Sequence, residues 1–210
     1  MNTDAVKARL SSAVGDRSEN ANVHLAREIA TNNDVESVES LVSLLQTGTA
    51  AVKPNCIKTL YEIGALEPKL ISLHKDVFLN HLKSKNNRLQ WGAMTAIASF
   101  AALERQWIHQ NLPNIMDACD KGSVITRDNT VQVLLSLAGS RTYYGDAVQL
   151  LFEILMKSPV NQLPMYAERM SVIVNKNNNV EFISILTSRL TEIEKEGGRK
   201  RIKKVIDKLK

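Results

Sequence analysis

The segment AVKPNCIKTLYEIG, residues 51–64, decides how the rest of the chain reads. It lies over RLQWGAMTAIASFA (88–101) at an offset of 37 and over ITRDNTVQVLLSLA (125–138) at a further 37, and the same columns keep the same character. Cys56, Ala93 and Thr130 share one column, and Ile57, Met94 and Val131 share the next. Leu60, Ile97 and Leu134 follow, then Ile63, Phe100 and Leu137, then the small Gly64, Ala101 and Ala138. A fourth copy at an offset of 36 brings Tyr166, Ala167, Met170, Ile173 and Val174 into these columns, and a weaker fifth sets Ile202, Ile206 and Leu209 under Tyr166, Met170 and Ile173. Self-similarity at a fixed period of this size marks a repeat architecture.

Each of these segments is preceded by another with helical spacing. Leu41, Val42 and Leu45 match Phe78, Leu79 and Leu82, then Ile115, Met116 and Cys119, then Leu151, Phe152 and Leu155. Apolar residues at i, i+3, i+4 and i+7 predict amphipathic helices and argue against strands. Polar or Gly-containing turns separate the paired segments: QTGT around Gly48, KSKNN at 83–87, DKGS around Gly122 and KSPVN around Pro159. Each repeat therefore reads as helix A, tight turn, helix B. So short a pair cannot bury its apolar face alone, and successive pairs must stack into a continuous core. The expected repeats run 35–64, 65–101, 102–138, 139–175 and 176–210. Residues 1–34 hold two weakly patterned helices, about Ala5 to Val14 and Ala21 to Ala30, joined by GDRSEN, and read as an N-terminal cap. The whole is expected to form one continuous all-α domain.

The 210 residues carry 27 Lys plus Arg against 22 Asp plus Glu, a net charge of +5. The excess has one address: residues 199–210 hold seven basic groups and one acid, and the other 198 residues hold 20 and 21. A body that is neutral overall does not announce a polyanion binder, whatever the high isoelectric point suggests. Hydrophobic content of 44% with 23% charged residues excludes a disordered or low-complexity chain. No apolar stretch approaches the roughly 20 residues of a membrane span, and the N-terminus lacks the apolar core of a signal peptide. The expectation is a soluble, cytoplasmic protein, in keeping with only two cysteines.

The period, the two-helix unit and the run Val52-Lys53-x-x-Cys56-x-x-x-Leu60-x-x-Ile63-Gly64 resemble the HEAT-repeat family. Leu89-Gln90 and Thr126-Arg127 depart from the Val-Lys opening in the second and third copies. The resemblance implies a right-handed α-solenoid, armadillo-like in kind, with helices A on the convex face and helices B lining the concave one. It also implies binding of proteins or nucleic acid without chemistry of its own, because a repeat fold carries architecture better than function.

With the core columns set at 52, 56, 57, 60, 63 and 64, a turn of 100° per residue places 54, 58, 61, 62 and 65 on the other side of helix B. In successive repeats this face carries Pro54, Lys58, Tyr61 and Glu62; Trp91, Thr95, Ala98 and Ser99; Asp128, Gln132, Leu135 and Ser136; and Pro164, Glu168, Ser171 and Val172. A DNA-binding groove would be lined with Lys and Arg, and here one Lys stands against three acids. Tyr61, Trp91 and Leu135 instead form an open apolar strip suited to a peptide or helix, with Lys58 and Gln132 as polar neighbours that fix orientation. Trp107, aligned with Leu70 and Tyr143, reads as core.

No nucleophile elbow, phosphate loop or metal-ligand spacing occurs, so neither an enzyme nor a cofactor or metal site is expected. His24, His74, His81 and His109 are scattered, Cys56 and Cys119 fill packing columns, and Gly197-Gly198 reads as a turn between the last two helices. In RKRIKKVIDKLK, Ile202, Val205, Ile206 and Leu209 form one apolar stripe with the cations opposite, as a solenoid cap requires. The alternative function is nucleic-acid binding through the basic patch Arg199, Lys200, Arg201, Lys203 and Lys204, with Arg88, Arg127 and Lys53 touching phosphates. HEAT-like DNA-alkylation-repair glycosylases resemble this chain in size and repeat type, but they use a basic concave face that is missing here.

Overall fold

A computed structural model describes residues 1–210, which divide into two compact units, Met1–Val133 and Leu134–Lys210. The first contains α1 (Thr3–Arg9), α2 (Ser11–Val14), α3 (Asn20–Thr31), α4 (Val35–Thr47), α5 (Lys53–Leu66), α6 (Pro68–Ser72), α7 (Lys75–His81), α8 (Asn87–Phe100), α9 (Arg105–Gln110) and α10 (Leu112–Lys121). The helix α11 (Val124–Ala138) begins in it and runs through the boundary. There are no strands.

Local signals place the helix ends. Asp34 caps α4 by accepting the Ser37 N–H at 3.0 Å, and Asn86 caps α8 by accepting those of Arg88 and Leu89. Pro54, Pro68 and Pro113 each sit in the first turn of a helix, where the missing N–H costs nothing. The helix A segments of the second and third repeats are each divided in two, α6 with α7 and α9 with α10. Glu67, forced extended by the proline behind it, separates α5 from α6, and His74 and Asn111 leave helical geometry within the segments. Phe78 and Leu82 and their counterparts Ile115 and Cys119 are buried as their columns require.

Cys56, Ile57, Leu60 and Ile63 on α5 and Ala93, Met94, Ile97 and Phe100 on α8 are fully buried. The two helices approach closely because Gly92 and Gly64 leave room. A Cβ at Gly92 would stand 2.7 Å from Ile57 Cγ1, and one at Gly64 would collide with Ile71 and Ser99. At the N-terminus, the segment read as one helix from Ala5 breaks at the buried Leu10, whose backbone is extended, and Gly15 closes α2 in the left-handed region at φ 71°. The weak pattern there has a physical cause, a buried polar chain. The Asn22 Oδ1 accepts the Ser11 N–H at 2.9 Å, its Nδ2 donates to Asn55 Oδ1 at 2.9 Å, and Asn55 Nδ2 donates to Ala51 O at 2.8 Å. Polar residues thus share the packing around α3 with the buried Leu25, Ala26 and Ile29.

The second unit holds α12 (Tyr144–Lys157), α13 (Leu163–Met170), α14 (Asn179–Arg189), a 3-10 turn (Leu190–Glu192) and α15 (Glu196–Leu209). Leu151, Phe152, Leu155, Tyr166, Met170, Phe182 and Leu186 form its core, with the Phe152 and Phe182 rings 5.5 Å apart. Two expectations change. Helix α13 ends at Met170, so Ile173 and Val174 lie in the following loop, where the Tyr144 hydroxyl donates to Ile173 O and accepts the side-chain amides of Asn175 and Asn178. Gly197 and Gly198 are not the turn between the last helices but the first turn of α15. The break falls at the extended Ile193, and a Cβ on Gly198 would stand 2.9 Å from Ile193 Cγ2. No helix is long and apolar enough to cross a membrane.

Candidate protein-binding groove

Turning α5 and α8 so that their apolar columns face inward leaves Lys58, Tyr61 and Glu62 on one and Trp91, Thr95, Ala98 and Ser99 on the other, all half-buried. Between them and α11 opens a groove of about 510 Å³. Its walls are Tyr61, Glu62 and Ala65 from α5, Thr95, Ala98 and Ser99 from α8, and Asn129 and Gln132 from α11. The Tyr61 and Trp91 rings meet at 5.8 Å with a 50° tilt, the geometry aromatic pairs prefer over a flat sandwich. Lys58 Nζ stands 4.8 Å from the centre of the Tyr61 ring and is paired with Glu62. Burial works against the Lys58 charge, but Glu62 and Tyr61 outweigh it and hold the ammonium above its ordinary pKa. Burial likewise raises the Tyr61 phenol, so at neutral pH the pair is one neutral aromatic beside an internally compensated ion pair.

The Thr95 and Ser99 hydroxyls in the groove are committed to backbone. Thr95 donates to Trp91 O at 2.8 Å and Ser99 to Ala96 O at 2.7 Å. Asn129 donates to Thr95 Oγ1 at 3.0 Å and to Ile125 O at 2.9 Å, which ties α11 to α8 across the groove floor. The groove thus sets one aromatic ring, Tyr61, and the small Ala65 and Ala98 among polar side chains, with Trp91 at its edge, and carries no uncompensated cation.

Of the residues expected to bind a partner, Tyr61, Trp91 and Lys58 come together, and Gln132 joins Tyr61 in the lining. Leu135 is half-buried one turn further along α11, within the second unit, and does not line the groove. Pro164, placed by helical counting on the same face of the fourth repeat, is buried. Asn129 was missed by the counting, although it occupies the column of Asn55, two repeats on. Trp107 is half-buried: its ring contacts Phe100 at 6.1 Å while its N–H donates to Asp76 at 3.0 Å, with Lys75 above it.

The remaining candidates are packing groups. Cys56 and Cys119 are buried, and burial pushes the Cys56 thiol up to about 12 and the Cys119 thiol in the same direction, which leaves neither as a nucleophile at neutral pH. His81 Nδ1 lies 2.8 Å from Val77 O, and His74 marks the start of α7, its pKa lowered by burial. Arg88, a candidate phosphate ligand, is paired with Glu19.

The basic patch divides. Arg199 Nε donates to Ile193 O, and Arg201 grips both oxygens of Glu168 at 2.8 and 2.6 Å, holding that carboxyl below its usual range. Lys200, Lys203 and Lys204 are exposed. A second cavity, about 470 Å³, lies between Pro164 of α13, the 192–195 turn and Gly198 and Arg201 of α15.

No protein-family model matches the chain. No curated protein matches it either. Solved structures do. A designed armadillo repeat protein in complex with the peptide (KR)4 is similar at a TM-score of 0.67 and 14% identity, covering 99% of each chain. A computationally designed armadillo repeat protein for modular peptide recognition matches at 0.62 and 15%, again over 99% of both. An engineered protein matches at 0.64 and 18%, over 100% of this chain and 97% of its own. Likeness over the full length at such low identity shows the fold: an all-α, armadillo-like solenoid of helical repeats.

Proposed function

We propose that the chain is a non-catalytic scaffold that binds a segment of a partner protein in the groove between α5, α8 and α11. The observation that carries this reading is the Tyr61–Trp91 pair at the edge of an open groove whose only charges, Lys58 and Glu62, cancel each other. Aromatic anchors beside small residues are what concentrates binding energy at interfaces. Two of the similar designed proteins are described as binding or recognising peptides, which adds support from the same fold. Tyr61 and Trp91 act as anchors and Lys58 and Gln132 as orienting groups, while Leu135, which does not line the groove, falls outside the site. The HEAT-like assignment of the repeats belongs to this reading and rests on the 36–37 residue period. So does a cytoplasmic setting, which the two free, buried thiols suit.

The test is selection of a phage-displayed random dodecapeptide library on the intact protein, with counter-selection on Trp91→Ala. Sequences that bind wild type and lose tenfold or more in affinity on the variant are expected. No enrichment, or enrichment indifferent to Trp91→Ala and Tyr61→Ala, would sink the groove.

A further inference from the structure

The helix α15 uses its two sides differently. Ile202, Val205 and Ile206 are buried against α13 and α14. The opposite arc presents Lys200, Lys203, Lys204 and Lys208, all exposed. Few acids answer them. Lys200 has only Glu196 at 3.8 Å, both groups largely in solvent, and Asp207 stands 3.6 Å from Lys210. Lys203 and Lys208 form no ion pair, and Lys204 is only in the field of Glu168, a carboxylate that Arg201 already holds. Both arginines of the helix are occupied, Arg199 by the Ile193 carbonyl and Arg201 by Glu168. The cations left for a ligand are therefore all ammonium groups on flexible stems. Such groups match a run of point charges, whereas planar bidentate recognition would call for arginine.

Shape narrows the ligand further. The four lysines lie in a row over eight residue steps, about 12 Å of helix at 1.5 Å per residue. A nucleic-acid duplex carries one charge about every 1.7 Å along its axis, so the row faces a continuous line of phosphates. An anionic bilayer is matched less well. With its apolar arc docked, α15 has nothing to insert, and surface electrostatics alone would have to hold it there.

We infer that the outward face of α15 binds the phosphate backbone of nucleic acid without sequence preference, through Lys200, Lys203, Lys204 and Lys208. This site is separate from the groove and does not depend on it.

The experiment is an anisotropy titration of a short mixed-sequence DNA duplex with the intact protein from low to moderate salt. Four phosphate contacts give an expected slope of log K against log salt of about −3 to −4, with a Kd on the order of 10⁻⁵ M at low salt. Replacing all four lysines by Gln should lower affinity more than tenfold and flatten the slope, with the circular-dichroism melt unchanged. Should that variant fold poorly, Lys204→Gln and Lys208→Gln singly should each reduce the slope by about 1. Trp91→Ala should leave duplex binding intact, which separates this site from the groove. No binding at low salt, a slope indifferent to the lysines, or binding to phosphatidylserine vesicles without binding to duplex would overturn the proposal.

Discussion

The two compact units share a repeat pattern and differ in what they do with charge. The first contains 14 basic and 14 acidic side chains, and the second 13 and 8, so the entire +5 belongs to the second. In the first, the half-buried face between α5 and α8 carries an aromatic pair and a neutralised Lys58–Glu62 bridge. In the second, the corresponding B-type helix α13 has spent its acid, Glu168, on Arg201, and the free charge sits on α15. Apolar recognition and polyanion attraction make opposite demands on a surface, because an uncompensated cation must be desolvated to enter an apolar contact. The aromatic pair with its neutralised bridge and the uncompensated lysines accordingly stand in different units.

The sharpest way to break this comparison is to destabilise one unit. Phe182→Ala removes a fully buried ring packed on Phe152 and should cost about 3–5 kcal/mol. Hydrogen exchange should then show lost protection in α12, α14 and α15 while α5 and α8 keep theirs. An equal loss across all five helices would mean that the units open as one block.

A polar counterpart exists in the first unit. Asn22→Ala removes both partners of the Ser11 N–H and Asn55 Oδ1 inside the core and should cost about 1–3 kcal/mol, measurable by urea denaturation. A neutral result would mean that water replaces the amide. By contrast, Trp91→Ala leaves a half-buried site and should cost about 1 kcal/mol, mostly the ring pairing with Tyr61. A loss several times larger in the thermal melt would make Trp91 core and remove it as an anchor.

The smallest effects concern exposed carboxylates. Arg201→Gln frees Glu168 and should change stability by about 0.2–1 kcal/mol, fading with salt. Since the folded pKa of Glu168 is depressed, its contribution is complete above the usual carboxylate range and is lost as pH falls through the lowered value. Asp16 behaves alike in the first unit. Hydrogen bonds from the Ser18 side chain and the Ala21 N–H pull it to about 2, so its carboxyl carbon should titrate near that value by NMR. A midpoint near the ordinary 3.8 would show that the loop capping α3 is open in solution.

The repeats were legible because burial obeys periodicity: the columns of Ile57, Leu60 and Ile63 are apolar in the first three copies, and all nine residues are buried. Tyr61 and Trp91 were found by the same counting, as residues left outside it. Three features were hidden. The N-terminal helices bury Asn22 and Asn55 alongside their apolar residues, and a hydropathy pattern scores both as surface. The division of helix A at His74 has no proline beside it and depends on tertiary packing. The fate of Arg201 depended on Glu168, 33 residues away, and that of Arg199 on the Ile193 carbonyl, so the expected patch of five cations reduces to its lysines. Asn129 could have been found by asking which columns repeat a polar residue, since it stands in the column of Asn55.

The most direct test of the groove uses Trp91 as its own reporter. With Trp107 replaced by Phe, Trp91 is the sole tryptophan, and a peptide selected on the wild-type protein can be titrated while its emission is followed. A saturable change in Trp91 emission that Tyr61→Ala weakens at least tenfold is expected. Binding of the same peptide, seen by calorimetry, with no change in Trp91 emission would contradict the placement of the partner between α5, α8 and α11.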